Sequence, residues 1–247
     1  MRRHGLAFAV LFGALGTACL PLNQVRYDPA PKPIMEDESE VVAIFSDTTC
    51  NRLDKSGPRG NGFFKTADIV YTVSHFFDEC RAEPPNFAIL DKNNRCLDGK
   101  MLAVDWNEDV LFIRTHRHHG TGLIISDEPI QSGKVGYVYS FVPSDLFWYT
   151  AADLTRPFSR TRHQVIDSPY NSAVVCGAHF ASIPPAHKGD SGSAMLNETG
   201  QVIGMVQMID RMIDPNYGIY LKGAVLKGLW ERCKECHEIK NQCSLDD

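Results

Sequence analysis

The sequence predicts an all-β chain, a sandwich or barrels, followed by one helix. Three observations predict it. Short runs rich in β-branched and aromatic residues recur from Val41 to Leu221 with turn residues between them. Helical spacing is confined to one late segment, where Val225, Leu226, Leu229 and Trp230 fall on one face. The chain has 247 residues and is 43% hydrophobic, enough to bury a sizeable core.

Residues 1–18 read as an export signal. Arg2, Arg3 and His4 are basic, Leu6 to Leu15 is apolar but too short to span a bilayer, and Gly16-Thr17-Ala18 is a small-residue cleavage site. Cys19 follows. Leu15 to Cys19 resembles a bacterial lipobox, with Gly16 where a larger apolar residue is usual. Cys19 is therefore the lipidation candidate and would give a membrane anchor; simple cleavage is the other reading. Residues 19–40 form a linker, with four prolines between Pro21 and Pro33 and an acidic end.

Predicted strands then run Val41 to Phe45, Phe63-Phe64, Ile69 to Val73, Phe87 to Leu90, Met101 to Val104, Val110 to Ile113 and Gly122 to Ile125. The second half offers Val135 to Val142, Phe147 to Ala151, Gln164 to Asp167, Ala173 to Cys176, Ala194 to Leu196, Val202 to Met208 and Gly218 to Leu221. The net charge of −5, without a long basic run, argues against a nucleic-acid partner. The densest basic cluster, His116 to His119, has no acidic or Cys partner close in sequence and reads as a solvated loop, so no metal site is expected.

Eight cysteines fit an exported, oxidised protein. Cys80 and Cys96 are the favoured disulfide pair, because they bracket a loop containing Pro84-Pro85. Cys233, Cys236 and His237 match a c-type haem attachment pattern. The match falls after the predicted strands, with about ten residues of chain beyond it, too little to wrap a haem. Disulfides are expected there instead of haem or zinc, residues 236–247 form a Cys-containing tail, and no cofactor is expected.

Three short motifs suggest chemistry. Gly189-Asp190-Ser191-Gly192-Ser193 places a serine between glycines, whose freedom allows a tight turn with the N–H groups of Gly189 and Ser191 aimed at one spot, an oxyanion hole. His75 ends an apolar strand and could take the serine proton. Asp109, before the unbroken run Val110 to Ile113, could orient that histidine; Asp105 competes but is followed by Trp106-Asn107-Glu108. Each motif alone is ordinary: Gly, Asp and Ser are common in turns. Their order, His then Asp then Ser, differs from Ser-acid-His and Asp-His-Ser enzymes.

Thr72-Val73-Ser74-His75, Asp109 to Ile113, and Lys188 to Leu196 with the following Val202 to Val206 resemble the corresponding blocks of trypsin-like serine proteases. Ser193, in place of the second glycine, brings the resemblance nearer the bacterial glutamyl-endopeptidase branch. The resemblance implies two six-stranded antiparallel β-barrels of the chymotrypsin type, about 41–127 and 131–222, then a helix, within a domain of residues 41–235. It implies an exported serine endopeptidase acting on proteins or peptides, with His75, Asp109 and Ser191 catalytic. Ile183, Pro185, His187, Val206, Gln207 and Met208 would then line the pocket for the substrate side chain, and His179 is a candidate determinant for acidic residues. No Ile-Val-Gly-Gly-like activation site precedes Val41, so Asp190 is expected to have a local partner. The alternative is a non-enzymatic surface lipoprotein that uses the same fold to bind. An esterase is disfavoured by the motif order and by Gly-x-Ser-Gly in place of Gly-x-Ser-x-Gly.

Overall fold

The structure is a computed structural model, and it describes residues 40–55, 60–76, 85–93, 95–116, 120–140, 159–166, 178–186, 189–209 and 218–235. The export signal, Cys19, the linker, the predicted strands Phe147 to Ala151 and Ala173 to Cys176, Cys80, His187 and the tail after residue 235 lie outside the described residues.

Twelve strands close into two six-stranded antiparallel barrels, as the resemblance implies. The first contains β1 (Val41–Ser46), β2 (Gly60–Phe64), β3 (Ile69–Thr72), β4 (Asn86–Asp91), β5 (Cys96–Asp105) and β6 (Val110–Thr115), in the order β1-β2-β3-β6-β5-β4. The second contains β7 (Val135–Ser140), β8 (Ser159–Ile166), β9 (His179–Ile183), β10 (Ala194–Leu196), β11 (Val202–Ile209) and β12 (Gly218–Lys222), in the order β10-β11-β12-β9-β8-β7. Helix α1 (Gly223–Glu235) follows β12 directly.

Burial on both faces explains the unbroken apolar runs. Along β1, Val42 and Ile44 point into the first barrel with Phe64, Ile89 and Leu111. On the opposite face of the same strand, Val41 joins the core between the barrels, while Ala43 and Phe45 pack with Ala88 and Leu90 under Cys50 and Leu53. The second barrel is filled by Val138, Phe180, Met195, Ile203 and Tyr220, among others. The core between the barrels draws Phe63, Tyr71 and Phe112 from one side and Tyr139, Met205 and Leu221 from the other.

Helix α1 straps the second barrel to the first. Leu226 and Leu229 are fully buried. The Trp230 ring reaches across to Tyr71 and Phe112, with centroids 6.0 Å and 5.6 Å away. Large aromatic deletions from a core cost about 3–5 kcal/mol, and Trp230 is partly buried, so Trp230→Ala should cost about 2–3 kcal/mol. In a chain of this size that lowers the thermal midpoint by roughly 5–10 °C. An unchanged midpoint in a calorimetric scan would remove the strap role.

Three expectations need correction. Gly122 to Ile125 is a connector with a single parallel bridge, Ile125 to Val202, because the chain here crosses between barrels; Leu123 and Ile125 fill the seam, and Ile124 is exposed. Strand β9 and the first half of β8 carry no apolar alternation. They carry the polar side chains Arg160, Thr161, His163 and Ser182, all buried. Finally, Cys96 bonds Cys50 and not Cys80, with Cα atoms 5.7 Å apart. The barrel path explains this. Cys50 follows β1, which pairs with β4, and Cys96 opens β5, the other neighbour of β4. The Cys50 N–H also donates to Asp98 Oδ1 at 2.7 Å, seating the segment on β5.

Candidate active site

His75 lies just past the end of β3, and Asp109 lies at the tip of the β5–β6 hairpin. β3 pairs with β6, with Thr72 opposite Leu111, so the two residues are brought side by side. Asp109 has φ = 52°, a left-handed conformation that aspartate tolerates better than most residues. Its N–H donates to the Trp106 carbonyl at 3.4 Å, and Asp105 Oδ1 accepts the Glu108 N–H at 3.0 Å. Asp105 is thus spent on building the turn that presents Asp109.

The Asp109 carboxylate is fully engaged. Oδ1 accepts the Ser74 N–H at 2.9 Å, the Ser74 hydroxyl at 2.8 Å and the His75 N–H at 2.9 Å. Oδ2 faces His75 Nδ1 at 2.7 Å. A carboxylate at that distance holds the proton on Nδ1 and leaves the Nε2 lone pair for another hydrogen bond. The imidazole edge is open to solvent on the far side, its side chain 46% exposed.

Ser191 lies on the tight turn before β10. Gly189 and Gly192 have φ of 100° and 82°, values that favour glycine. At Gly192 space forbids any other residue as well, because an added Cβ would lie 1.9 Å from the Asn61 carbonyl oxygen. The two barrels meet here. Gly60 on β2 fits between the Phe76 ring, beside His75, and the Ser191 carbonyl oxygen; an added Cβ would come within 2.1 Å and 2.7 Å of them. The Ser191 hydroxyl donates to the Gln207 carbonyl at 3.4 Å, the hydrogen bond it makes among the described residues. Rotation about its Cα–Cβ bond is therefore needed to turn it toward an imidazole.

Gln207 itself links both halves. Its Nε2 donates to the Glu108 carbonyl, next to Asp109, and its Oε1 accepts from His179 Nε2 at 2.6 Å. His179 is held behind Gln207. Of the other predicted pocket residues, Val206 packs inside the second barrel, Ile183 is 39% exposed at the end of β9, and Pro185 is half-buried. Met208 lies on β11, where its neighbour Ile209 pairs with Gly218, and Gly218 abuts Ala186. That contact brings the 184–186 segment against β11 and β12. Below it, Tyr220 accepts a hydrogen bond from the Ser182 hydroxyl at 3.0 Å and lies 3.3 Å from His163 Nδ1. Burial pushes the Tyr220 phenol far above its ordinary range; the Ser182 hydrogen bond opposes this and the nearby Asp190 charge adds to it.

No motif in the sequence marks Asn61, the turn-building role of Asp105, or Gln207 as a link between barrels. The one available signal for Asn61 is its position between Gly60 and Gly62 in an otherwise apolar strand.

No protein-family model matches this chain, and no curated protein does. Solved structures do. The Rv3671c protease of M. tuberculosis in its active form matches with a TM-score of 0.63 and 19% identity over 87% of this chain and 91% of that one. Its inactive Ser343Ala form matches with a TM-score of 0.64 and 18% identity over 86% and 97%. A serine endoprotease from Yersinia pestis matches with a TM-score of 0.60 and 15% identity over 81% and 65%. The fold is chymotrypsin-like. At these identities the likeness is one of fold.

Proposed function

We propose that this chain is a serine endopeptidase in which His75, Asp109 and Ser191 act together. The observation that carries the reading is the Asp109 carboxylate, bound by three donors on one oxygen and set 2.7 Å from His75 Nδ1 on the other. A carboxylate that only capped a turn would have no need of the imidazole.

In this reading the Ser191 hydroxyl turns from the Gln207 carbonyl and attacks the scissile carbonyl carbon. His75 Nε2 takes its proton, and Asp109 stabilises the imidazolium. The oxygen of the tetrahedral intermediate is received by the N–H groups of Gly189 and Ser191. Neither donates to a protein acceptor among the described residues. His75 then protonates the leaving amine. Water then adds to the acyl carbon as Nε2 takes its proton, and that proton passes to Ser191 Oγ as the Oγ–acyl bond breaks and the acid is released. The chemistry runs on side chains and backbone amides. Export, with or without lipid at Cys19, rests on the N-terminal signal and the cysteine content, and would place the enzyme in an oxidising compartment.

A fluorophosphonate probe tests the reading, because it phosphorylates a serine only where a base and an oxyanion site activate it. We expect covalent labelling of the wild type at Ser191, with loss of fluoride, seen as a mass increase on the peptide containing Gly189 to Ser193. A folded wild type that stays unlabelled would favour the binding module.

A further inference from the structure

Asn61 is fully buried on β2 of the first barrel, yet three of its hydrogen bonds go to the second. Its backbone N–H donates to the Ser191 carbonyl at 2.8 Å. Its side-chain Nδ2 donates to the Gly189 carbonyl at 2.7 Å and to the Ser140 hydroxyl at 3.1 Å. Its own carbonyl accepts the Thr72 hydroxyl at 2.6 Å, which anchors β2 to β3 close to His75. A carbonyl oxygen can only accept, so the contact with Gly189 settles which end of the amide faces the turn.

The consequence lies in the direction of three successive carbonyls. Gly189 C=O is held by Asn61 Nδ2, Asp190 C=O by the Ser193 N–H at 2.8 Å, and Ser191 C=O by the Asn61 N–H. Each carbonyl shares a peptide plane with the N–H of the next residue, so the Asp190 carbonyl, tied to Ser193, sends the Ser191 N–H the opposite way, and Asn61 clamps the peptide units on either side of it. A carbonyl rotated to that side would repel a developing oxyanion, and in a water-poor site such a reversal weighs heavily. We propose that Asn61 is a positioning residue for the oxyanion site: from the opposite barrel it fixes the Gly189–Ser191 turn in the state that binds negative charge. The proposal rests on the serine-peptidase reading. It adds that the oxyanion site is completed only when the two barrels are docked.

The test uses the full chain, a peptide substrate found by cleavage profiling of the wild type, and the corresponding peptide aldehyde. The aldehyde adds Ser191 to form a tetrahedral species with a charged oxygen. Asn61→Asp keeps the shape but sets a carboxylate oxygen against the Gly189 carbonyl. We expect kcat to fall about 100-fold, KM to stay within about threefold, and the aldehyde to bind weaker by about the same factor as kcat, as for loss of one oxyanion donor. Should Asn61→Asp not fold, Asn61→Ala is measured instead; it brings no charge, and a fall of at least tenfold in kcat and aldehyde affinity is expected. A folded variant with wild-type kcat overturns the proposal. So does a loss of kcat with unchanged aldehyde affinity, which would make Asn61 a packing residue only. A wild type that neither cleaves nor labels with fluorophosphonate removes the peptidase reading, and the proposal with it.

Discussion

Ser191→Ala is expected to abolish peptide-bond cleavage and leave the fold standing. The change removes one hydroxyl whose hydrogen bond, to the Gln207 carbonyl, is long at 3.4 Å. Little stability rests on it, and the turn around it is held by the Asn61 and Ser193 hydrogen bonds, which do not use the hydroxyl. Loss of the nucleophile from a working triad costs on the order of a millionfold in kcat. Casein hydrolysis by the purified variant, together with its thermal midpoint, reads both halves. Wild-type hydrolysis by Ser191→Ala would place the nucleophile elsewhere, whereas a collapsed midpoint would contradict the claim that the turn is held by its backbone.

Asp109→Asn should lower kcat by roughly 10⁴, while Asp105→Asn should lower it less than tenfold. The geometry separates the two carboxylates. Asparagine at 109 can still accept the three donors on one oxygen, but its amide then faces His75 Nδ1 as a donor. The proton is forced to Nε2, and the imidazole can no longer receive one from Ser191. At 105, an asparagine oxygen still accepts the Glu108 N–H, so the turn survives. Steady-state kinetics on both variants, with a matched peptide, settle the roles. A loss at Asp105 without one at Asp109 would reverse the assignment.

The strand pattern reached a sandwich or barrels, the resemblance carried by the motifs around His75, Asp109 and Ser191 implied two six-stranded barrels, and the structure has those barrels and sets His75 beside Asp109. These features are legible because they are local. A glycine-flanked serine, a strand ending in histidine and a carboxylate before an apolar run each declare themselves within five residues. Strand β9 and the start of β8 escaped because polar side chains share their buried positions and leave no run of apolar residues. His163, Ser182 and Tyr220 satisfy one another inside the barrel, and periodicity of apolar residues cannot register a polar core.

The disulfide and the cross-barrel contacts were decided by tertiary structure. Cys50 and Cys96 are 46 residues apart in sequence and meet because β1 and β5 flank β4. Asn61 and Gly189 are separated by 128 positions, and Gln207 and Glu108 by 99. Nothing near either residue in the chain announces its partner. A hydrogen bond needs a donor and acceptor within about 3 Å, and only closure of both barrels and their docking brings groups so distant in sequence to that separation. The amino-acid order by itself determined which residues could carry the chemistry; the docking of the barrels determined which way the backbone of the Gly189–Ser191 turn faces.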